Sequence, residues 1–270
     1  MTFKHITSRD NPIFKHLKKL AESARERRAE GKTLLDGVHL IESYCQALKA
    51  TDQAEPELAG LELIVIPEGK SSLEATNLMQ QFEHINTIMF PTLMFAELTP
   101  VVSSTGILAV VKTPQIAPPN TVEFALMLED IQDPGNLGSM LRTALGAGVQ
   151  AVYLSKGCTD AWSPKALRGG QGAQFYLSVI EGVDLVETMQ NFAGNTYATT
   201  LNGESLYVQN LSKPSAFVIG NEGAGLSEKV AQVASKKISI PMHQDLESLN
   251  AAAAAAVCLF ERTRQIAVKS

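Results

Sequence analysis

The sequence predicts an α/β fold built on a parallel sheet, and three observations carry that prediction. Short apolar, β-branched runs such as LELIVIPE (61–68) alternate with amphipathic helical stretches along most of the 270 residues. Over about the last 150 residues the alternation is regular, as expected for parallel strands covered by helices. One stretch interrupts it: TPQIAPPN (113–120) carries three prolines and can continue neither a helix nor a central strand. It divides the chain into a small α/β domain at 1–112, a linker at 113–120 and a larger α/β domain at 121–270.

In the first domain, NPIFKHLKKLAESARERRAE (11–30) reads as one amphipathic helix, with Ile13, Leu17, Leu20 and Ala24 at helical spacing. TLLDGVHLIESYCQAL (33–48) is a strand, a glycine turn and a helix. LELIVIPE is a strand, and SSLEATNLMQQF (71–82) a helix with a serine cap and a glutamate in its first turn. TIMF (87–90) and GILAVVK (106–112) are further strands. Beyond the linker come the strand FALMLED (124–130), the helix NLGSMLRTALGAG (136–148), the strand AVYLSK (151–156) and the helix SPKALRGGQGAQ (163–174). Then follow YLSVIEG, a helix over 185–192, the strands NTYATTL and SAFVIG, a helix starting near Leu226, the strand KISIPM and a last helix from about Ser248. The alanine run 251–256 gives that helix high propensity and little bulk, suited either to close packing within the domain or to a subunit interface.

Composition narrows the function classes. A 45% hydrophobic, 19% charged chain is that of a globular protein, and no apolar run is long enough to span a bilayer. The charged N-terminus lacks the apolar core of a secretory signal. Cys45, Cys158 and Cys258 are odd in number and widely separated, which predicts no disulfide framework, no metal site and a reducing cytoplasm. The net charge is −5, yet residues 1–50 hold ten Lys/Arg against six Asp/Glu. That basic front is either a solvated helix face or the contact surface for a polyanion.

Ligands of parallel α/β sheets bind beyond the carboxyl ends of the strands, and three such ends carry unusual residues. In LEDIQDPGNLGSMLRTALGAG, Pro134 and Gly135 turn the chain and Asn136 is suited to cap the following helix. Ser139 and Arg142 share one face of that helix. In FVIGNEGAGLS (217–227), Gly220, Gly223 and Gly225 permit positive φ and expose backbone, while Glu222 would repel a phosphate. In ISIPMHQDLESLN (238–250), a strand ends at Pro241, and Glu247, Ser248 and Asn250 gather where the last helix begins, with Ser248 as its cap. Neither a G-x-G-x-x-G fingerprint nor a phosphate loop is present, which argues against a nucleotide-dependent oxidoreductase.

Taken in order, N-L-G-x-x-x-R-T-A (136–144), G-N-E-G-x-G-L-S (220–227) and I-P-M-x5-S-L-N (240–250) resemble the three motifs of the SpoU (TrmH-type) branch of the SPOUT RNA methyltransferases. The resemblance covers about 121–268. One departure is Gln244, where the family usually has glycine. The resemblance implies a deep C-terminal trefoil knot, a homodimer and S-adenosyl-L-methionine as methyl donor. It implies transfer to the 2′-hydroxyl of a ribose, in ribosomal RNA by the type of N-terminal domain, with transfer RNA or a non-catalytic RNA-binding role as alternatives.

By the same resemblance, Asn136, Arg142, Glu222, Ser248 and Asn250 match the catalytic and substrate-positioning residues. Backbone around Gly220, Ile240 and Leu249 would hold the donor, with Thr199, Thr200 and Leu201 lining it. An arginine guanidinium keeps its proton at neutral pH, so Arg142 is expected to orient phosphate or lower the hydroxyl's pKa rather than act as a free base. ITSRDNPIFKHLKKL and LLDGVHLIESYCQAL resemble the RNA-recognition domain of these enzymes. Arg9, Lys15, Lys18, Lys19, Arg25, Arg27, Arg28 and Lys32 are candidate phosphate contacts there, and Lys165 and Arg168 candidates nearer the active centre.

Overall fold

The structure is a computed structural model and describes residues 3–50, 60–69, 71–99, 105–243 and 248–267. Its chain folds into two compact units. One gathers Met1–Pro114 with Trp162–Phe175, the other Gln115–Ala161 with Tyr176–Ser270.

The first unit runs β1 (Lys4–His5), α1 (Pro12–Glu22), α2 (Ala24–Glu30), β2 (Lys32–Asp36), α3 (Val38–Ala50), β3 (Leu61–Pro67), α4 (Leu73–Gln81), β4 (Thr87–Phe90), α5 (Thr92–Ala96) and β5 (Leu108–Lys112). Among the described residues its sheet has the order β1-β4-β3-β5-β2. It is mixed: β5 runs antiparallel to both neighbours, and the other pairs are parallel.

The single helix expected over 11–30 is two. Ser23 adopts an extended conformation, and its hydroxyl accepts from the Glu26 amide, so it caps α2. The S-A-R-E sequence is a capping-box signal that competed successfully with the helical periodicity. Phe14, Leu17 and Leu20 of α1 bury their apolar face, at ~1.5–3 kcal/mol each for the transfer from water.

The break has a consequence for the basic residues. Arg27 is buried, 4% exposed, with its Nη1 donating to the Leu20 and Ala21 carbonyls at 2.6 and 3.0 Å. It satisfies the last turn of α1 and is not a surface phosphate contact, as the sequence suggested. Lys32 is paired with Glu62 at 2.7 Å.

The second unit contains β6 (Phe124–Leu128), α6 (Pro134–Ala147) and β7 (Ala151–Ser155). Next in the chain is α7 (Pro164–Gly170), which folds with the first unit. β8 (Ser178–Val183), α8 (Leu185–Gln190), β9 (Asn195–Ser205), β10 (Ser215–Ile219), α9 (Glu228–Val233), β11 (Lys236–Ser239) and α10 (Ala251–Ala267) complete the second unit. The sheet order is β11-β9-β10-β6-β7-β8, and every neighbouring pair is parallel. The central strands β6 and β10 are buried throughout, which explains their unbroken apolar runs FALML and SAFVI.

The carboxyl half of β9 departs from regularity. β9 pairs with β10 only through Ala198, and its register with β11 jumps from Ala198 to Glu204. Residues 199–203 therefore lie outside both ladders, at the carboxyl end of the sheet. α10 packs on α6 and β10, burying Ala251, Ala252 and Ala255. The buried alanines show the close packing within the domain that their small side chains allow.

Cys45, Cys158 and Cys258 are free. Among the described residues no group of His, Cys, Asp or Glu could hold a metal ion, and no helix is long and apolar enough to cross a membrane. Arg27→Ala should lower the unfolding free energy by about 1–3 kcal/mol in urea denaturation, because two carbonyls lose a charged donor.

Candidate active site

β6 and β10 lie side by side, so the loops that follow them meet although they are distant in sequence. Asp133, not Asn136, caps α6: its Oδ1 accepts from the Asn136 amide at 2.8 Å, with Pro134 at the first helical turn. The Asn136 side chain is thereby left available. Asn250, not Ser248, caps α10, its Oδ1 accepting from the Ala252 and Ala253 amides at 2.9 and 3.2 Å. A cap two residues later than expected turns the Asn250 amide toward α6.

Asn250 Nδ2 donates to Asn136 Oδ1 at 3.0 Å, and Asn136 Nδ2 donates to Glu222 Oε1 at 3.1 Å. Glu222 also accepts from the main-chain amides of Gln132 (Oε2, 3.1 Å) and Asp133 (Oε1, 3.2 Å). The chain of bonds has a fixed polarity. Helix amides can only donate at one end and a carboxylate can only accept at the other, so both asparagines must point nitrogen toward Glu222. Burial is the largest single influence on Glu222 and raises its pKa. The bonds from Asn136, Gln132 and Asp133 together outweigh it and hold the carboxyl below the usual carboxylate range.

The glycine-rich loop has a different logic from the one its glycines suggested. Of Gly220, Gly223 and Gly225, Gly225 alone has positive φ, at 69°. Gly220 is required by close approach, because a Cβ there would overlap the backbone of Gly225 and Leu226. Asn221 bridges to Gly225, and its Oδ1 accepts from the Gly223 and Ala224 amides at 2.9 Å each. Glu222 does not confront a cationic group among the described residues. It binds main chain and an amide.

Arg142 lies on α6 about 9 Å along the axis from Asn136, at 1.5 Å per residue. Its side chain is exposed and makes no hydrogen bond among the described residues. Ser248 is exposed, Ile240 and Leu249 partly buried. Thr199 and Thr200 stand at the irregularity of β9. Thr199 Oγ1 donates to the Val218 carbonyl at 3.0 Å, whereas the buried Thr200 Oγ1 has no partner among the described residues. Leu201 is 67% exposed. Gln244 and Glu247 lie outside the described residues.

Of the basic candidates, Arg9 and Lys18 both bind Glu97, at 2.7 and 3.1 Å, and hold its carboxyl below the usual range. Lys15 binds Asp10 at 2.8 Å. Lys19, Arg25 and Arg28 are exposed, and Arg28 has an intramolecular interaction of its own. Lys165 and Arg168, expected nearer the active centre, belong to α7 and the first unit.

Other polar residues escaped the sequence reading. Glu129 accepts from Ser227 N and Oγ at 2.8 and 2.6 Å, fixing the start of α9, which Ser227 caps. Asp130, Gln132, Ser155 and Asn221 are interlinked at the ends of β6, β7 and β10. Position just past a strand end was the one signal they carried.

Fold and site together place the chain among the α/β RNA methyltransferases. It belongs to the SpoU rRNA Methylase family, which residues 123–260 match. It is 32% identical to an uncharacterized tRNA/rRNA methyltransferase of Synechocystis sp., over 96% of this chain and 93% of that protein. It is 31% identical to the 23S rRNA (guanosine(2553)-2′-O)-methyltransferase RlmP of Bacillus subtilis, over 95% and 98%. Among solved structures, an RNA 2′-O ribose methyltransferase matches with a TM-score of 0.77 at 27% identity, over 97% of this chain and 98% of its own. The SpoU methyltransferase AviRb of Streptomyces viridochromogenes, solved with the cofactor AdoMet, shares the fold at a TM-score of 0.80 and 23% identity, over 94% and 98%.

The stability supplied by Glu222 is present above the ordinary carboxylate pKa and is lost as pH falls through its lowered folded value. Between about pH 5 and 3 the thermal midpoint of Glu222→Gln should therefore fall less steeply than that of the wild type.

Proposed function

We propose that the protein transfers the methyl group of S-adenosylmethionine to the 2′-hydroxyl of a ribose in ribosomal RNA. The observation that carries this reading is the Asn250–Asn136–Glu222 chain, which brings the three family motifs to one place. The residues present fit the donor. The buried Thr200 hydroxyl, without a partner among the described residues, suits a polar group of the donor, and Gly220 lets the Gly225–Leu226 backbone close the turn beside it. Gly220, Ile240, Leu249 and the 199–201 bulge would hold the adenosyl group. The bound sulfonium supplies an already activated methyl group, so no acid is needed at the leaving sulfur.

The chain's own task is placement and proton removal, and placement alone is worth roughly 7–11 kcal/mol. Asn136 and Asn250 each keep a second N–H that the relay does not use, and these are directed donors for ribose oxygens. Arg142, unengaged among the described residues, offers a planar fork that binds the phosphate beside the target ribose and lowers the hydroxyl's pKa electrostatically. The proton leaves to water.

Arg9, Lys15, Lys18, Lys19 and Arg28 serve as phosphate contacts that position the RNA, with Glu97 and Asp10 holding three of them until RNA competes. Lys165 and Arg168 extend this set. The C-terminal trefoil knot of the family is supported by β9 pairing with both β10 and β11 and by the return of Asn250 to α6.

A homodimer through the second unit is supported by Leu145 and Phe260, which are 37% and 49% exposed on the packed pair α6 and α10. Phe260→Asp should convert the dimer to monomer in sedimentation, and an unchanged mass would remove this face as the interface.

Arg142→Lys should lower kcat on unmodified ribosomal RNA by on the order of 10²-fold while donor affinity, read by calorimetry, stays as in the wild type. Full turnover in that variant would end the role of the guanidinium. A wild-type protein that binds no donor would be a non-catalytic RNA-binding protein instead.

A further inference from the structure

The loop that grips Glu222 is itself held by a residue outside the three motifs. Gln132 donates from its main-chain amide to Glu222, and its side-chain Nε2 donates to the carbonyls of Asp130 at 3.0 Å and Gly157 at 2.7 Å. Both hydrogens of that amide are therefore engaged with backbone. The Asp130 carbonyl also accepts from Asn221 Nδ2 at 2.8 Å, and Asn221 immediately precedes Glu222.

The segment held this way is strained. Asp130 has a φ of 53°, in the left-handed region that residues with a side chain seldom adopt. Ser155 fixes it from the neighbouring strand, accepting from Asp130 N at 2.9 Å and donating to Asp130 Oδ1 at 2.6 Å. Gly157 completes the fit, since a Cβ there would overlap the Asp130 carboxylate. The loops after β6 and β7 thus meet at one amide side chain, and the loop after β10 joins them through Asn221 at the Asp130 carbonyl.

We propose that Gln132 is a positioning residue for methyl transfer, acting through Glu222 and resting on the function proposed above. With the side chain in place, the 130–133 backbone presents two amides to the Glu222 carboxylate, and the carboxylate in turn aims Asn136. Without it, the carbonyls of Asp130 and Gly157 lose their shared donor, and the strained segment relaxes. The Gln132 N–H turns away from Glu222, and the Asn136 amide loses its fixed orientation. Substrate and donor sites remain, but the reacting atoms are misaligned.

The test uses the full chain with unmodified 23S rRNA transcribed in vitro and methyl-labelled S-adenosylmethionine. Gln132→Leu should reduce kcat on the order of 10²-fold while the KM for RNA and the donor affinity stay unchanged. Combined with Glu222→Ala it should be no slower than Glu222→Ala alone, because both changes release the same group. Multiplying effects in the double variant, wild-type turnover in Gln132→Leu, or a raised KM at unchanged kcat would overturn the proposal.

A readout independent of turnover is amide hydrogen exchange. The Gln132 and Asp133 amides should exchange faster in Gln132→Leu, and unchanged exchange overturns the proposal even if the RNA supplied is not a substrate. A wild type that shows no transfer counts against the proposed function alone. Should Gln132→Leu not fold, Gln132→Asn, whose shorter amide cannot span both carbonyls, replaces it with the same outcomes.

Discussion

The site depends on the capture of one carboxylate by main-chain amides. Glu222 sits in a glycine-rich turn closed by Asn221 and Gly225, and its side chain is placed by the Gln132 and Asp133 amides that lead into α6. Those amides lie at the positive end of the helix, where a negative charge is favoured. Charge-assisted bonds of this kind are about twice as strong as neutral ones. The carboxylate in turn decides which way Asn136 faces, and Asn136 decides the same for Asn250.

This arrangement follows from the sheet. Glu222 and Asn136 are 86 residues apart, Asn250 and Asn136 are 114 apart, and no local signal connects them. Adjacency of β6 and β10 brings the first two together, and the packing of α10 on α6 delivers the third. Small residues make that packing close. Ala252 and Ala255 on α10 and Gly138 and Ala144 on α6 are buried, and Thr263 donates to the Ala147 carbonyl at the far end. The acidic residues at the strand ends, Glu129, Asp130 and Glu222, are all engaged with hydroxyls or amides, so they organise loops rather than stand as free charge.

Much of the fold was legible in the sequence because its strands are buried and its helices carry explicit start signals. The β6, β10 and β3 runs and the capped α4 lie where periodicity put them. The division of residues 11–30 was missed because the apolar period continues across Ser23 while the backbone does not. At the site, Asn136, Glu222 and Asn250 were legible through motif resemblance, but their connections were not. Sequence reading assigned the caps to Asn136 and Ser248, and the true caps, Asp133 and Asn250, differ by two or three residues. Cap identity depends on where φ and ψ leave the helix, and neighbouring polar residues give the same signal. Gln132 was invisible because a lone glutamine in a turn has no periodicity and its partners are carbonyls, which every residue has.

The placement of α7 bears on how the molecule can be taken apart. Trp162–Phe175 belongs by sequence to the second half and by packing to the first. There the Trp162 carbonyl accepts from the buried Thr33 hydroxyl at 2.6 Å, and Phe175 meets Tyr44 edge to face. Cutting the chain at the proline-rich stretch would therefore leave neither piece intact. The C-terminal fragment would carry a helix whose apolar residues Ala166 and Leu167 had lost their cover. The N-terminal fragment would keep the matching bare surface, so excision of a minimal catalytic module would have to redesign this helix as well as sever the linker.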